Sequence, residues 1–168
     1  HTKAITFLSE NGFREERTWK NLHDNVGKLQ VFFKKIKLLN RDRVAAYTIN
    51  SIETVEAFLA SSSIGAIWSS CSPDFGVNGV IERFKQIKPK ILFITDRYYY
   101  NGKEIDILER VPEILKKIKS IKYLVIINYP GKNFLKKNFK FNKVKVFYWS
   151  SLKKNKTKKI YFKKFDFE

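Results

Sequence analysis

Apolar residues fall along this chain in two rhythms: short unbroken runs, and longer stretches spaced three and four apart. The first is the rhythm of buried strands, the second that of one helical face. Ala4–Leu8 and Phe13–Thr18 flank Ser9-Glu10-Asn11-Gly12. Asn-Gly between extended segments predicts a hairpin, here an antiparallel flap over 4–18 at the edge of the domain. Thr18 then suits the N-cap of a helix whose apolar face is Trp19, Leu22, Val26, Leu29, Phe32, Phe33 and Ile36. Arg43–Ile49 reads as a buried parallel strand. Asn50-Ser51 opens a second helix with Ile52, Val55, Phe58, Leu59 and Ile64 on its apolar face. Glu53 and Glu56 lie near its positive N-terminal end, and Gly65 just past its last turn.

The stretch Gly65–Phe93 is the least generic. Ala66–Trp68 is a strand that stops at a small-residue corner, Ser69-Ser70-Cys71-Ser72-Pro73. Val77, Val80, Ile81, Phe84 and Ile87 make a third helical face, which Pro89 ends, and Ile91–Ile94 is the next strand. Arg97–Lys103 reads as a polar, aromatic loop. Residues 104–119 read as a helix that begins at or near Pro112. Tyr123–Ile127 is a further buried strand, Val144–Trp149 another, and Ser150–Leu152 starts a short helix. The charge run Lys153–Lys159 is a solvated loop. Strands alternating with helices predict an α/β fold: a mostly parallel sheet flanked by helices on both faces, with the N-terminal antiparallel hairpin. The organisation is hairpin 4–18, α/β core 19–128 and a lysine-rich segment 129–168. Ligands bind such sheets beyond the C-terminal ends of the strands, where the 69–73 corner lies.

Composition narrows the function classes. The chain has 168 residues, 43% of them hydrophobic, enough for one domain with a core. No apolar run approaches the roughly 18 residues of a membrane span. Cys71 is the single cysteine, so no intrachain disulfide can form, which fits a reducing, cytoplasmic compartment. At a corner it is either a nucleophile or, as free cysteines usually are, a small buried filler. The net charge is +18, and +11 of it falls in the last 37 residues. Lysine far outnumbers arginine, and lysine lacks the bidentate fork that reads bases. Solvated surface lysines therefore outrank a basic nucleic-acid-binding domain, and no nucleic-acid partner is expected. His23 reads as a surface residue, Asp74 as a helix-start acid and Glu82 as a surface acid; no catalytic or metal-ligating set emerges. A start at His1 and an end without cap or stop signal lead one to expect a portion of a longer polypeptide.

On Thr18-Trp19, Asp42–Tyr47, the whole of Gly65–Phe93 and Tyr98–Lys103 (YYYNGK), the chain resembles the AMP-forming acyl-CoA synthetases of the adenylate-forming superfamily, and among them the acetoacetate–CoA ligases. The resemblance implies part of that family's large N-terminal domain. It implies an enzyme that joins acetoacetate to CoA through an acyl-adenylate, with ATP and CoA as substrates and Mg2+ for the full enzyme. Acetyl- or propionyl-CoA synthetase is the nearest alternative. With 7 glycines, and no Gly-rich phosphate motif or matching catalytic lysine, the stretch is expected to be inactive by itself and to work with the rest of the same polypeptide. The resemblance also implies contacts. Trp68, Ser69 and Ser70 match positions that lie against the CoA nucleotide, and Tyr100, Gly102 and Lys103 match a segment that meets its 3′-phosphate. Trp68 is otherwise a core residue and Lys103 otherwise a surface lysine.

Overall fold

A computed structural model describes residues 2–134, 141, 143–156 and 160–165. In chain order the elements are β1 (Lys3–Leu8), β2 (Arg14–Thr18), α1 (Trp19–Lys35), β3 (Arg43–Tyr47), α2 (Ile52–Ser63), β4 (Ile67–Cys71), α3 (Val77–Ile87), β5 (Ile91–Thr95), β6 (Arg97–Tyr100), β7 (Lys103–Asp106), a 3-10 turn Leu108–Arg110, α4 (Val111–Lys117), β8 (Tyr123–Ile127), β9 (Lys145–Tyr148) and α5 (Trp149–Leu152). Five strands form one parallel sheet in the order β4-β3-β5-β8-β9. Two antiparallel hairpins, β1-β2 and β6-β7, stand beside it.

The central strands are apolar because both faces are covered. Val44, Ala46, Ile91, Phe93, Val125 and Ile127 pack against α1, α2 and α5. Ala45, Tyr47, Leu92, Ile94, Leu124 and Ile126 alternate to the other face, against α3 and α4. The crossover through α2 lies on one face and that through α3 on the other, so the chain leaves β3 at a topological switch point. Local caps agree with their sequence. Thr18 Oγ1 accepts from the Asn21 amide at 3.2 Å and Ser51 Oγ from the Thr54 amide at 3.4 Å. Gly65 follows α2 with φ +76°, and a Cβ there would overlap Asn40 and Phe165.

Four expectations change. β4 runs on through Cys71, so the corner begins at Ser72. Arg97–Lys103 is not a loop: β6 and β7 pair across Asn101-Gly102, whose φ values of 49° and 71° are those of a type I′ turn. Residues 104–110 are strand and 3-10 turn rather than helix, while α4 starts at Val111, beside Pro112 as expected. Helical faces also rotate. Trp19 is 62% and Phe58 43% exposed, while α2 turns Glu53, Glu56, Ala57, Ala60 and Ser61 inward. Residues 157–159 of the expected charged loop lie outside the described residues.

The inward acids answer Arg17. From the end of β2 its Nε donates to Glu56 Oε1 at 3.2 Å and its Nη1 to Glu15 Oε1 at 2.6 Å, with Nη2 3.5 Å from Glu53 Oε1. Asn25 Nδ2 from α1 adds a 2.7 Å bond to Glu56 Oε1, and Lys153 Nζ lies 3.6 Å from Glu53. Glu56 is fully buried, and burial pushes its carboxyl above the usual range, against the pull of Asn25 and Arg17. A carboxyl whose folded pKa is raised favours folding when protonated, so its contribution is lost as pH rises through that value. Arg17→Met removes the cation and raises the pKa further. The variant is expected to lose about 3 kcal/mol at pH 8 and distinctly less at pH 5, as read from urea melts at the two pH values. A loss independent of pH would refute the charge account.

Candidate functional site

A cleft of about 300 Å³ opens where β3 and β4 end. Thr48, Ile49 and Asn50 enter it from the end of β3, and Thr54 from the first turn of α2. Ser70 and Cys71 come from the end of β4, Ser72, Pro73 and Asp74 from the loop after it, and Tyr98, Tyr99 and Tyr100 from β6. Glu10 reaches over from the tip of the β1-β2 hairpin. Among the described residues the lining offers hydroxyls, one amide, two carboxylates and three phenol rings beside Ile49, Cys71 and Pro73, and no lysine or arginine. Such a surface suits an uncharged, flat, hydrogen-bonding group better than a phosphate.

Each wall has its own anchor. Ser72 Oγ donates to Asp74 Oδ2 at 2.7 Å and turns the loop on itself. Thr54 Oγ1 donates to the Ile49 carbonyl at 2.8 Å, which fixes the entry of α2. Thr48 is 5% exposed, and its hydroxyl has no hydrogen-bond partner among the described residues. The β6-β7 hairpin is held at its root by Arg97. Its Nη2 lies 3.2 Å from Asp96 Oδ2 and donates to the Asn133 carbonyl at 2.6 Å, and its Nη1 donates to Glu104 Oε1 at 3.0 Å. Asp96, fully buried, accepts the Tyr129 amide on its other oxygen at 2.7 Å. A hairpin so rooted presents Tyr98–Lys103 in one orientation.

The residues singled out from the sequence divide. Ser70 and Tyr100 line the cleft, Tyr100 being 61% exposed. Trp68, half-buried, lies on the α1–α2 face of the sheet, its ring 6.0 Å from both Phe58 and Phe93. Ser69 points with Cys71 toward the opposite face by strand alternation. Gly102 forms the hairpin turn, and Lys103 sits across the ladder from Tyr100 on the exposed strand. Asp74 lines the cleft, whereas Glu82 and His23 are exposed, His23 beside Asp24. Among the described residues no group of three or more His, Cys, Asp and Glu side chains could hold a metal ion, and no helix is long and apolar enough to cross a membrane. Glu10, Thr48, Asn50 and Thr54 had no signal of their own, because only the fold brings those segments to one edge.

Comparison with known proteins agrees with this architecture. The AMP-binding enzyme family model matches residues 2–159. The acetoacetyl-CoA synthetase of Gallus gallus is 46% identical over 129 residues, 76% of this chain and 19% of that protein. The acetoacetyl-coenzyme A synthetase of Rhizobium meliloti is 41% identical over 128 residues, again 76% of this chain and 19% of the relative. The chain thus spans under a fifth of the length of these relatives. The solved structure of an acetoacetyl-CoA synthetase from Streptomyces lividans superposes with a TM-score of 0.83 at 28% identity, covering 95% of this chain and 23% of that one.

Cys71 is 6% exposed, and burial pushes its thiol up to about 11, with Arg83 pulling weakly the other way. A thiolate is the reactive form. Alkylation of the native chain by iodoacetamide is therefore expected to be slow at pH 7.5 and to rise about tenfold per pH unit up to 9, then to become fast in urea. Rapid modification of the folded chain at pH 7 would restore Cys71 as a nucleophile.

Proposed function

The chain belongs to the AMP-binding enzyme family, and from that premise we propose that it is part of an acyl-CoA ligase acting on acetoacetate, in which its own residues frame the CoA nucleotide. The reaction joins a carboxylate to a thiol. A carboxylate accepts a thiol only after its oxygen becomes a good leaving group, and ATP supplies that group as AMP. ATP and CoA are then the co-substrates, with Mg2+ accompanying the ATP; none of the residues named here is assigned to the metal. The names of the relatives described above support acetoacetate over acetate or propionate.

One observation carries the CoA reading: Ser70 at the end of β4 and Tyr100 on β6 line the same cleft, although 30 positions separate them. A purine fits against an exposed phenol ring and a small strand end. Among the described residues the lining holds Glu10 and Asp74 and no cation, so a phosphate is better placed outside it. Lys103, paired with Tyr100 across the exposed turn, is the cation we assign to that phosphate. As a point charge on a flexible stem it would hold the 3′-phosphate without a bidentate fork. Trp68 and Ser69 lie within β4, just before Ser70 and outside the cleft lining, so any contact they make with the nucleotide would be at its margin.

Calorimetric titration of the chain with CoA and with dephospho-CoA tests the assignment. CoA is expected to bind, and Lys103→Glu to weaken it about tenfold, or 1.4 kcal/mol, with little effect on dephospho-CoA. Tyr100→Ala is expected to weaken both ligands. Absence of binding, or equal affinity in all three proteins, would overturn the CoA reading. For the full polypeptide, ATP–pyrophosphate exchange is expected with acetoacetate in preference to acetate or propionate.

A further inference from the structure

Behind the cleft stands a cluster that none of its lining residues reveals. The loop Ser72–Gly76 turns two of its carbonyls inward, those of Pro73 and Phe75. Tyr47 Oη, on a side chain fully buried at the end of β3, lies 3.0 Å from the first and 2.6 Å from the second. Arg110 reaches the same point from the 3-10 turn. Its Nη1 donates to Tyr47 Oη, lies 2.9 Å from the Pro73 carbonyl and 3.3 Å from that of Phe75. Three protons, one phenolic and two on Nη1, thus meet two carbonyl oxygens and the phenol oxygen. The guanidinium also sits over the Tyr98 ring at 6.0 Å, so one side chain ties the β4–α3 loop to β3 and to β6.

We infer that Arg110 is a positioning residue for the ligand cleft: it holds the Pro73–Phe75 loop, which forms one wall, at a fixed distance from Tyr98, which forms another. Loops after parallel strands carry ligand contacts only as well as they are held in place. This loop has Ser72 and Asp74 turned to each other and, among the described residues, receives no side-chain hydrogen bond from outside itself other than those of Tyr47 and Arg110. A neutral Tyr47 alone has one proton for two carbonyls. The Arg110 charge strengthens the remaining bonds. Burial raises the Tyr47 phenol above its ordinary value in spite of Arg110, so the phenol stays a donor across the physiological range. The effect on ligand rests on the reading of the cleft as the CoA-nucleotide site; the effect on the loop does not.

The test uses the 168-residue chain as wild type, Arg110→Met, Tyr47→Phe and the double variant. Amide hydrogen exchange is read over Asp74–Val77, and CoA affinity by titration well below each protein's unfolding temperature. Arg110→Met is expected to speed exchange in that loop, and not at β5 or β8, and to weaken CoA about tenfold through loss of charge-assisted bonds. The double variant is expected to be no weaker than Arg110→Met alone by more than about twofold, because both side chains act through the same two carbonyls. Unchanged loop exchange in Arg110→Met overturns the clamp whether or not CoA binds. Faster exchange with CoA affinity within twofold of wild type overturns its role in the cleft. If wild type binds no CoA, the CoA reading falls, and exchange alone decides the clamp.

Discussion

All five strands of the central sheet run the same way, and the rest of the molecule follows from that. A parallel strand must be covered on both faces, and each return to the starting edge needs a crossover. Every strand therefore delivers its C-terminal end, and its least regular backbone, to one edge. Thr48–Asn50, Ser70–Asp74 and Asp96–Arg97 arrive there together for this reason alone. The apolar middle has no room for polar chemistry: Val44–Tyr47, Ile91–Ile94 and Leu124–Ile127 are all essentially inaccessible.

Both hairpins are held near that edge by arginines, Arg97 buried and Arg17 largely so. Arg17 fastens β1-β2 through Glu53 and Glu56 of α2, and Arg97 roots β6-β7 through Asp96. Such pairs add little net stability, since desolvation offsets much of their attraction, but breaking one leaves a buried charge. Their effect is geometric. Arg17 thus adds a charged tie to the packing of Phe13 beside Gly131 that holds the first hairpin, and Arg97 adds one to the packing of Tyr98 and Tyr99 that holds the second. Arg110 repeats the device for the loop between. Three elements that are not part of the sheet are thus fastened to it by guanidinium groups, whose several donors can meet acceptors from different segments at once.

Periodicity made the core legible and left the edge largely illegible. The apolar runs at 43–49, 91–94 and 123–127 could only be buried strands, and Val77–Ile87 only a helix with one wet face. Asn11-Gly12 marked the first hairpin. Asn101-Gly102 carried the same signal, yet the flanking Tyr98-Tyr99-Tyr100 and Lys103-Glu104 lack the apolar alternation that marks a strand in water. Their pairing is set instead by the Arg97–Glu104 bond and by the Tyr99 hydroxyl on Glu104. Glu53 and Glu56 read as dipole-facing acids because nothing local shows that Arg17, some 40 residues away, turns them inward. Hydrophobic spacing misassigned the faces of α2 for the same reason: a cation from another element outweighed Phe58. The family resemblance supplied the membership that the comparisons bear out, which periodicity could not.

The charge of the chain does not point at its cleft. Among the described residues the cleft lining carries Glu10 and Asp74 and no cation. Many of the cations stand at the opposite edge, where the strands begin: Arg43, Lys90, Lys122 and Lys145 are linked in turn by backbone bonds of 2.8, 2.9 and 3.0 Å. The C-terminal turns of α1, α3 and α4 bring Lys34, Lys35, Lys85, Lys116 and Lys117 toward the same edge. Helices that return antiparallel to the strands put their negative ends there, so lysine is favoured for a structural reason. Long-range attraction from those lysines is screened within about 8 Å at physiological salt, well short of the depth of the sheet. Net charge is therefore a poor guide to what the cleft would bind, and the proposed role of Lys103, the cation of the β6-β7 turn, rests on its position beside Tyr100 rather than on the charge of the chain.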